Sequence, residues 1–158
     1  MQLSRRIAGT VALVSYLVMG AMLYFSVLPG ADGLWPPDFH LRGYDAASIG
    51  EFVRVIRDEA RATYAMILLR WDRVFIVALA LWMALMGWRG GWLRYGVAGL
   101  AVVYGAVDLA ENAAIYRFFS ATPLDPVLVD AASYLTMAKF ASLYLCIFIL
   151  LVHLRRSR

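Results

Sequence analysis

Asp108, Glu111 and Asn112 stand at i, i+3 and i+4 inside an apolar stretch long enough to cross a membrane. Lys139, the only lysine in the chain, lies in the middle of another such stretch. At this spacing the first three side chains share one helix face. A charge at mid-bilayer costs about 2.5–3.5 kcal/mol even on the lenient insertion scale. Three ionisable groups at that depth therefore mark either an interhelical clamp or a functional polar site. In the functional reading Asp108 and Glu111 are acid/base or hydrogen-bonding groups, Lys139 supplies the counter-charge and Asn112 orients a ligand. Two acids face one base, so one carboxyl must be held protonated, which suits proton transfer, or must reach Arg73 or Arg117.

The helices that carry these groups set their relative depth. Tyr104 and Gly105 extend the Asp108 face inward, and Ile115 extends it outward. Lys139 follows Pro126 by 13 residues, or about 20 Å of α-helix at 1.5 Å per residue. That puts it at or slightly below the depth of Asp108, and a Lys139–Asp108 pair across a short hairpin is expected. Thr136 and Leu143 flank Lys139 on its own face, while Asp130 points nearly opposite. Asp72, Arg73 and Arg117, at the outer ends of their helices, are candidates to close the site from above. His40, Tyr44 and Tyr64 would approach if the outer segment folds inward, although His40 also reads as an ordinary loop histidine.

Composition assigns the class. Of the 158 residues, 63% are hydrophobic and 16% charged, against about a quarter charged in a soluble domain. The expectation is an all-α integral membrane protein: a four-transmembrane-helix bundle forming one domain over 1–158. The spans fall at about 7–28, 67–88, 93–119 and 126–153, each near the roughly 20 residues needed. Arg5 and Arg6 before the first run resemble a secretory signal. Its apolar part is too long for one and no small-x-small cleavage site follows, so an uncleaved helix is expected.

Arg5, Arg6, Arg89, Arg94, Arg155, Arg156 and Arg158 fall on one side with no acid among them, while the other side mixes acids with arginines. By the positive-inside rule both termini are cytoplasmic. Trp35, Trp71, Trp88 and Trp92 fall near the interfaces, as aromatic belts do. The outer segment, 29–66, begins irregularly. Asp45 then caps a helix in which Ile49, Phe52, Val53 and Ile56 recur at helical spacing, opposite Glu51, Arg54, Arg57, Asp58 and Arg61. This predicts an amphipathic helix on the outer surface, roofing the bundle; a partner-binding helix or a spacer is the alternative.

Several chemistries are set aside. Cys146 is the only cysteine, so there is no internal disulfide or CxxC redox centre. His40 and His153 are expected on opposite sides of the membrane, so they cannot jointly hold a haem or metal. No GxSxG, Walker or dinucleotide glycine pattern is present. Carboxylates alone would bind a cation at the outer mouth, but Lys139 beside them argues against a dedicated metal site. No cofactor is implied, and the positive charge reads as a topology signal rather than a nucleic-acid patch.

Tyr44-Asp45, Arg61-Ala62-Thr63-Tyr64, Asp72, Asp108-Leu109-Ala110-Glu111-Asn112 and the lysine of the last helix together resemble a group of small bacterial four-helix membrane proteins. They share a D-x-x-E-N motif in helix three, and the likeness covers most of the chain without implying an activity. The long outer segment between helices one and two is similar to the layout of the EXPERA superfamily of sterol isomerases and lipid-handling proteins. That likeness implies acidic and amide side chains lining a sterol cavity. The paired histidine and glutamate of the isomerases' second helix are missing here, so isomerase activity is not implied. The expected function is binding or handling a small amphipathic molecule or lipid in an outward-facing polar pocket. An accessory subunit of a membrane complex, and a small proton-coupled transporter acting as a homo-oligomer, are the alternatives.

Overall fold

The protein is described here by a computed structural model covering residues 1–156. Arg158, expected among the arginines of one face, lies outside the described residues. Within them the chain is all-α, with five helices and no strand. Helix α1 (Gln2–Gly30) contains a π-helical turn at Leu23–Val27. A turn at Asp32 and Gly33, both at positive φ, leads into a loop with a 3-10 turn at Pro37–Phe39. The short α2 (Ala46–Val55) follows, then the long α3 (58–87), with a π-helical turn at Ile67–Trp71. Helices α4 (Leu93–Phe119) and α5 (Pro126–Arg156) complete the chain.

Three helices, α1, α4 and α5, are long and apolar enough to cross a membrane. Helix α3 has comparable length, but Arg70, Asp72 and Arg73 interrupt it, leaving an unbroken apolar run only from Val74 onward. The four long helices pack in chain order, α1 on α3, α3 on α4 and α4 on α5, with α5 also touching α3. Leu17, Val77, Val102 and Phe148, one from each, are more than half exposed. A water-soluble bundle would cover such residues; a bilayer solvates them.

The interior is stratified. One apolar cluster, at the lid end, joins Val27, Ile49, Phe52, Tyr64, Leu68, Ile115, Phe118, Phe119 and Val129. A second, toward the arginine end, joins Met83, Val97, Ala101, Tyr104, Cys146 and Leu150. The residues between them on each helix, Asp72, Asp108–Asn112 and Thr136–Lys139, form a polar layer.

Asp45 caps α2 as expected: its carboxylate accepts the Ser48 amide at 2.7 Å, and its own amide donates to Ser48 Oγ at 3.0 Å. Those bonds hold the exposed Asp45 carboxyl below the usual carboxylate range. The cap is therefore intact above the ordinary carboxylate pKa and is lost as pH falls through the lowered one. Ile49 and Phe52 are buried while Glu51 and Arg54 face out.

The expected helix is, however, two. Ile56 and Arg57 are extended, and a new helix starts at Asp58, nine residues before the anticipated head at 67. Asp58 and Glu59 supply the negative charge that a helix N-terminus favours. Arg61 ties the break by donating to the carbonyls of Val53 (2.6 Å) and Phe119 (3.0 Å) while lying over the Phe119 ring.

The lid end depends on a close crossing of α1 and α3. The Arg57 amide donates to the Gly30 carbonyl at 2.9 Å, and a Cβ at Gly30 would overlap that of Ala60. Gly30→Val is expected to lower the thermal unfolding midpoint in detergent, by an overpacking cost of about 1–3 kcal/mol. Gly20→Ala, facing open space, should leave the midpoint unchanged or raise it slightly.

Candidate functional site

Helices α4 and α5 present the polar layer to each other. Lys139 Nζ lies 2.6 Å from Glu111 Oε2 and 3.8 Å from Asp108 Oδ1, so the nearer acid is Glu111. The expected hairpin pair thus forms with a different first partner. Lys139 sits closer to the lid than Asp108 does, and its ammonium also approaches the Asp38 backbone carbonyl at 3.4 Å and the Phe140 ring at 4.9 Å. Thr136, one turn before Lys139, donates its hydroxyl to Glu111 Oε1 at 2.5 Å, with the Ala132 carbonyl 3.1 Å away. On the other flank Asn112 Nδ2 donates to Asp72 Oδ2 of α3 at 2.8 Å. Tyr104, one turn below, lies against Asp108.

Asp108, Glu111, Asn112, Thr136 and Lys139 are all buried, Glu111 completely. Asn112 Oδ1 accepts no hydrogen bond from any described residue, and Asp108 Oδ1 faces only the Lys139 ammonium, at 3.8 Å. Three carboxyls of the helices, Asp72, Asp108 and Glu111, therefore share a single ammonium. Arg73 and Arg117, anticipated as a cationic roof, do not reach the layer: both are exposed. Helical phase explains it. At about 100° per residue Arg73 is turned a quarter-circle from Asp72, and Arg117, nine positions past Asp108, points half a turn away.

The roof is the outer segment instead. The Tyr64 hydroxyl, buried at the head of α3, donates to Asp38 Oδ1 at 2.7 Å, and the Tyr44 amide donates to Ser133 Oγ at 2.8 Å. The Tyr44 hydroxyl is buried beside Thr136 without a bond of good geometry to any described group. Burial above all, then the nearby Glu111 and Asp38 carboxyls, push its phenol well above the usual range. Tyr44 is thus a neutral donor across the working pH range. His40 packs edge-on against Tyr44, and its ring nitrogen faces the Trp35 carbonyl at 3.4 Å. It remains in the loop, outside the polar layer.

The two acids of α4 are buried within the bundle. A cleft of about 410 Å³ lies beside them, lined by Arg42, Tyr44, Asp45, Asp130, Ser133 and Met137 among others. Tyr44 belongs to both, so it forms the wall between cleft and cluster. Among the described residues no group of histidine, cysteine and acidic side chains is arranged to hold a metal ion. Asp38 and Ser133 are the participants that sequence reasoning missed. Ser133 lies one turn before Thr136 on the same face and was within reach of periodicity. Asp38 carries no such signal, because a loop fixed by Pro36 and Pro37 delivers it.

The bond from Asn112 to Asp72 joins α4 to α3, and interhelical bonds of this kind are worth about 0.6–2 kcal/mol in membranes. Asn112→Leu should lower detergent stability by about that amount. Asp72→Asn, which keeps an acceptor for the amide, should lose less; equilibrium unfolding of both variants checks the order. No protein-family model, curated protein or solved structure matches the chain.

Proposed function

We propose that this chain is a four-span protein of the bacterial inner membrane, with both ends cytoplasmic, that binds a small amphipathic molecule or lipid arriving from the outer leaflet. In this reading it belongs with the small four-helix membrane proteins that carry the D-x-x-E-N motif. The three apolar helices and the exposed apolar residues on all four long helices support the spans. In α3, the fourth, Arg70, Asp72 and Arg73 sit toward the outer interface and the run from Val74 crosses the rest. The acid-free arginine end supports the orientation.

The observation that carries the binding reading is the surplus of buried acceptors. A cluster serving only to fasten helices would leave none unmet, since each buried, unsatisfied polar group costs about 1–3 kcal/mol. Asn112 Oδ1 is unmet, and Asp108 Oδ1 has only the Lys139 ammonium at 3.8 Å. The head group that complements them is a hydrogen-bond donor (hydroxyl, amine or amide) on an apolar body. Lys139 offsets the acids' charge, Asn112 orients the head, and displacement of Tyr44 opens the cluster to the neighbouring cleft.

The tight packing of the acids favours a second reading, in which protons alone enter and Asp108 and Glu111 exchange them. Coupled transport would then need an assembly of several copies, since four helices enclose little room for a second path.

A thermal-stability cycle on Asp108→Asn, Lys139→Met and the double variant tests these readings, combined with native mass spectrometry of copurified small molecules. Asp108→Asn is expected to be at least as stable as wild type and to lose a copurifying amphiphile. Loss of stability in both single variants, recovery in the double and no bound molecule in wild type would assign the cluster to a helix clamp. A protonated-carboxyl band in infrared spectra of ligand-free protein, abolished by Glu111→Gln or Asp108→Asn, would instead support the proton reading.

A further inference from the structure

A second concavity lies far from the lid, between α1 and α3 and open to the surface, with a volume of about 730 Å³. Its walls are two helical stripes: Gly9, Leu13 and Tyr16 from α1 and Leu79, Trp82 and Met86 from α3. Gly9 makes room for the floor, because a Cβ there would come within 2.8 Å of Trp82 Nε1. Tyr16 and Phe75, with ring centroids 5.9 Å apart, bound one end. Arg5 and Arg6 bound the other. From Arg5 to Tyr16 the groove runs eleven residues, or about 16 Å, roughly half of a 30 Å hydrocarbon core. It is as deep as one leaflet.

The arginine end of the groove is chemically one-sided. Arg5 donates to the Trp88 carbonyl through Nη2 at 3.4 Å, but its Nε is buried with no acceptor among the described residues. No acidic residue stands in the first turn of α1. The chain has no acid before Asp32, between Asp72 and Asp108, or after Asp130. A cationic head group would therefore find no partner at this end, whereas a phosphate would meet two guanidinium groups. Basic residues between helices, at the level of the lipid head groups, select anionic lipids for this reason.

We infer that the α1–α3 groove binds one anionic phospholipid of the leaflet at the arginine end, its phosphate held by Arg5 and Arg6 and one acyl chain lying along Gly9, Leu13 and Trp82. The site is separate from the polar layer and does not depend on its role. Arg5→Gln/Arg6→Gln removes the head-group contacts. Leu13→Trp fills the groove from a position that is already 58% exposed, so it leaves the core intact.

The full-length protein is exchanged into an equimolar mixture of phosphatidylglycerol and phosphatidylcholine, stripped with mild detergent and weighed by native mass spectrometry. Wild type should retain a single phosphatidylglycerol in about thirtyfold excess over phosphatidylcholine, the scale expected of two interfacial arginines. The double arginine variant should lose that preference, and Leu13→Trp should retain neither lipid. Gly20→Ala, on α1 but outside the groove and facing open space, should bind as wild type does. Equal retention of the two lipids by wild type, or undiminished phosphatidylglycerol on Leu13→Trp, would overturn the inference. If the arginine variant does not accumulate, Leu13→Trp, with both arginines in place, decides alone.

Discussion

An ammonium group enclosed by apolar helices needs compensation within a few ångströms, and in this chain the need is met by three groups. Glu111 and Asp108 approach Lys139 from α4, and the Asp38 carbonyl approaches from the loop above. The effect is geometric as much as energetic. Sliding α5 along α4 by one turn would move Lys139 by about 5.4 Å and leave a charge unpaired in a low-dielectric interior, a far larger loss than any single apolar contact. Apolar packing between lipid-facing helices is permissive about register; this ion pair is not. It therefore fixes how the long hairpin of α4 and α5 is assembled, and the remaining helices build onto that hairpin.

The outer segment then becomes part of the interior rather than an appendage. Phe52 packs edge-on against Tyr64 and tilted against Phe119, Arg61 joins the end of α2 to the end of α4, and Tyr64 holds Asp38 over the ammonium. Each contact links a loop or lid residue to one of the long helices. Polar chemistry at the centre is thereby shielded on the lid side by aromatic and aliphatic side chains, and on the other side by the apolar layer around Met83 and Cys146. Such a layer of dry packing on both sides strengthens every charge interaction it encloses.

Much of this was legible from residue types. The i, i+3, i+4 spacing placed Asp108, Glu111 and Asn112 on one buried face, and counting from Pro126 brought Lys139 to within about a turn of its level, against Asp108 rather than the Glu111 it meets first. Asp45 announced a helix cap, and the alternation around Ile49 and Phe52 gave the lid its inner face. The break at Ile56 was not legible, because helical periodicity continues through it; it depends on Arg61 satisfying carbonyls from two other segments. Nor was the roof. Arg73 and Arg117 drew attention by charge, although their phase already turned them outward, while Asp38 is positioned by chain path alone. Long-range bonds of a single loop residue leave no trace in local spacing.

The π-helical turn at Ile67–Trp71 has a consequence for how α3 serves both storeys of the molecule. A π turn accommodates one extra residue and so advances the helix by about 100° relative to an uninterrupted α-helix. Tyr64 above it and Asp72 below it lie two steps of four apart, a spacing that drifts around a regular helix, yet one reaches the lid and the other the polar layer. Helix α3 is thus two segments of different phase on a common axis, with the turn as the joint between them. Its upper segment answers to the loop and its lower segment to the bundle, and a one-residue change in length at the joint would uncouple the two while leaving each intact.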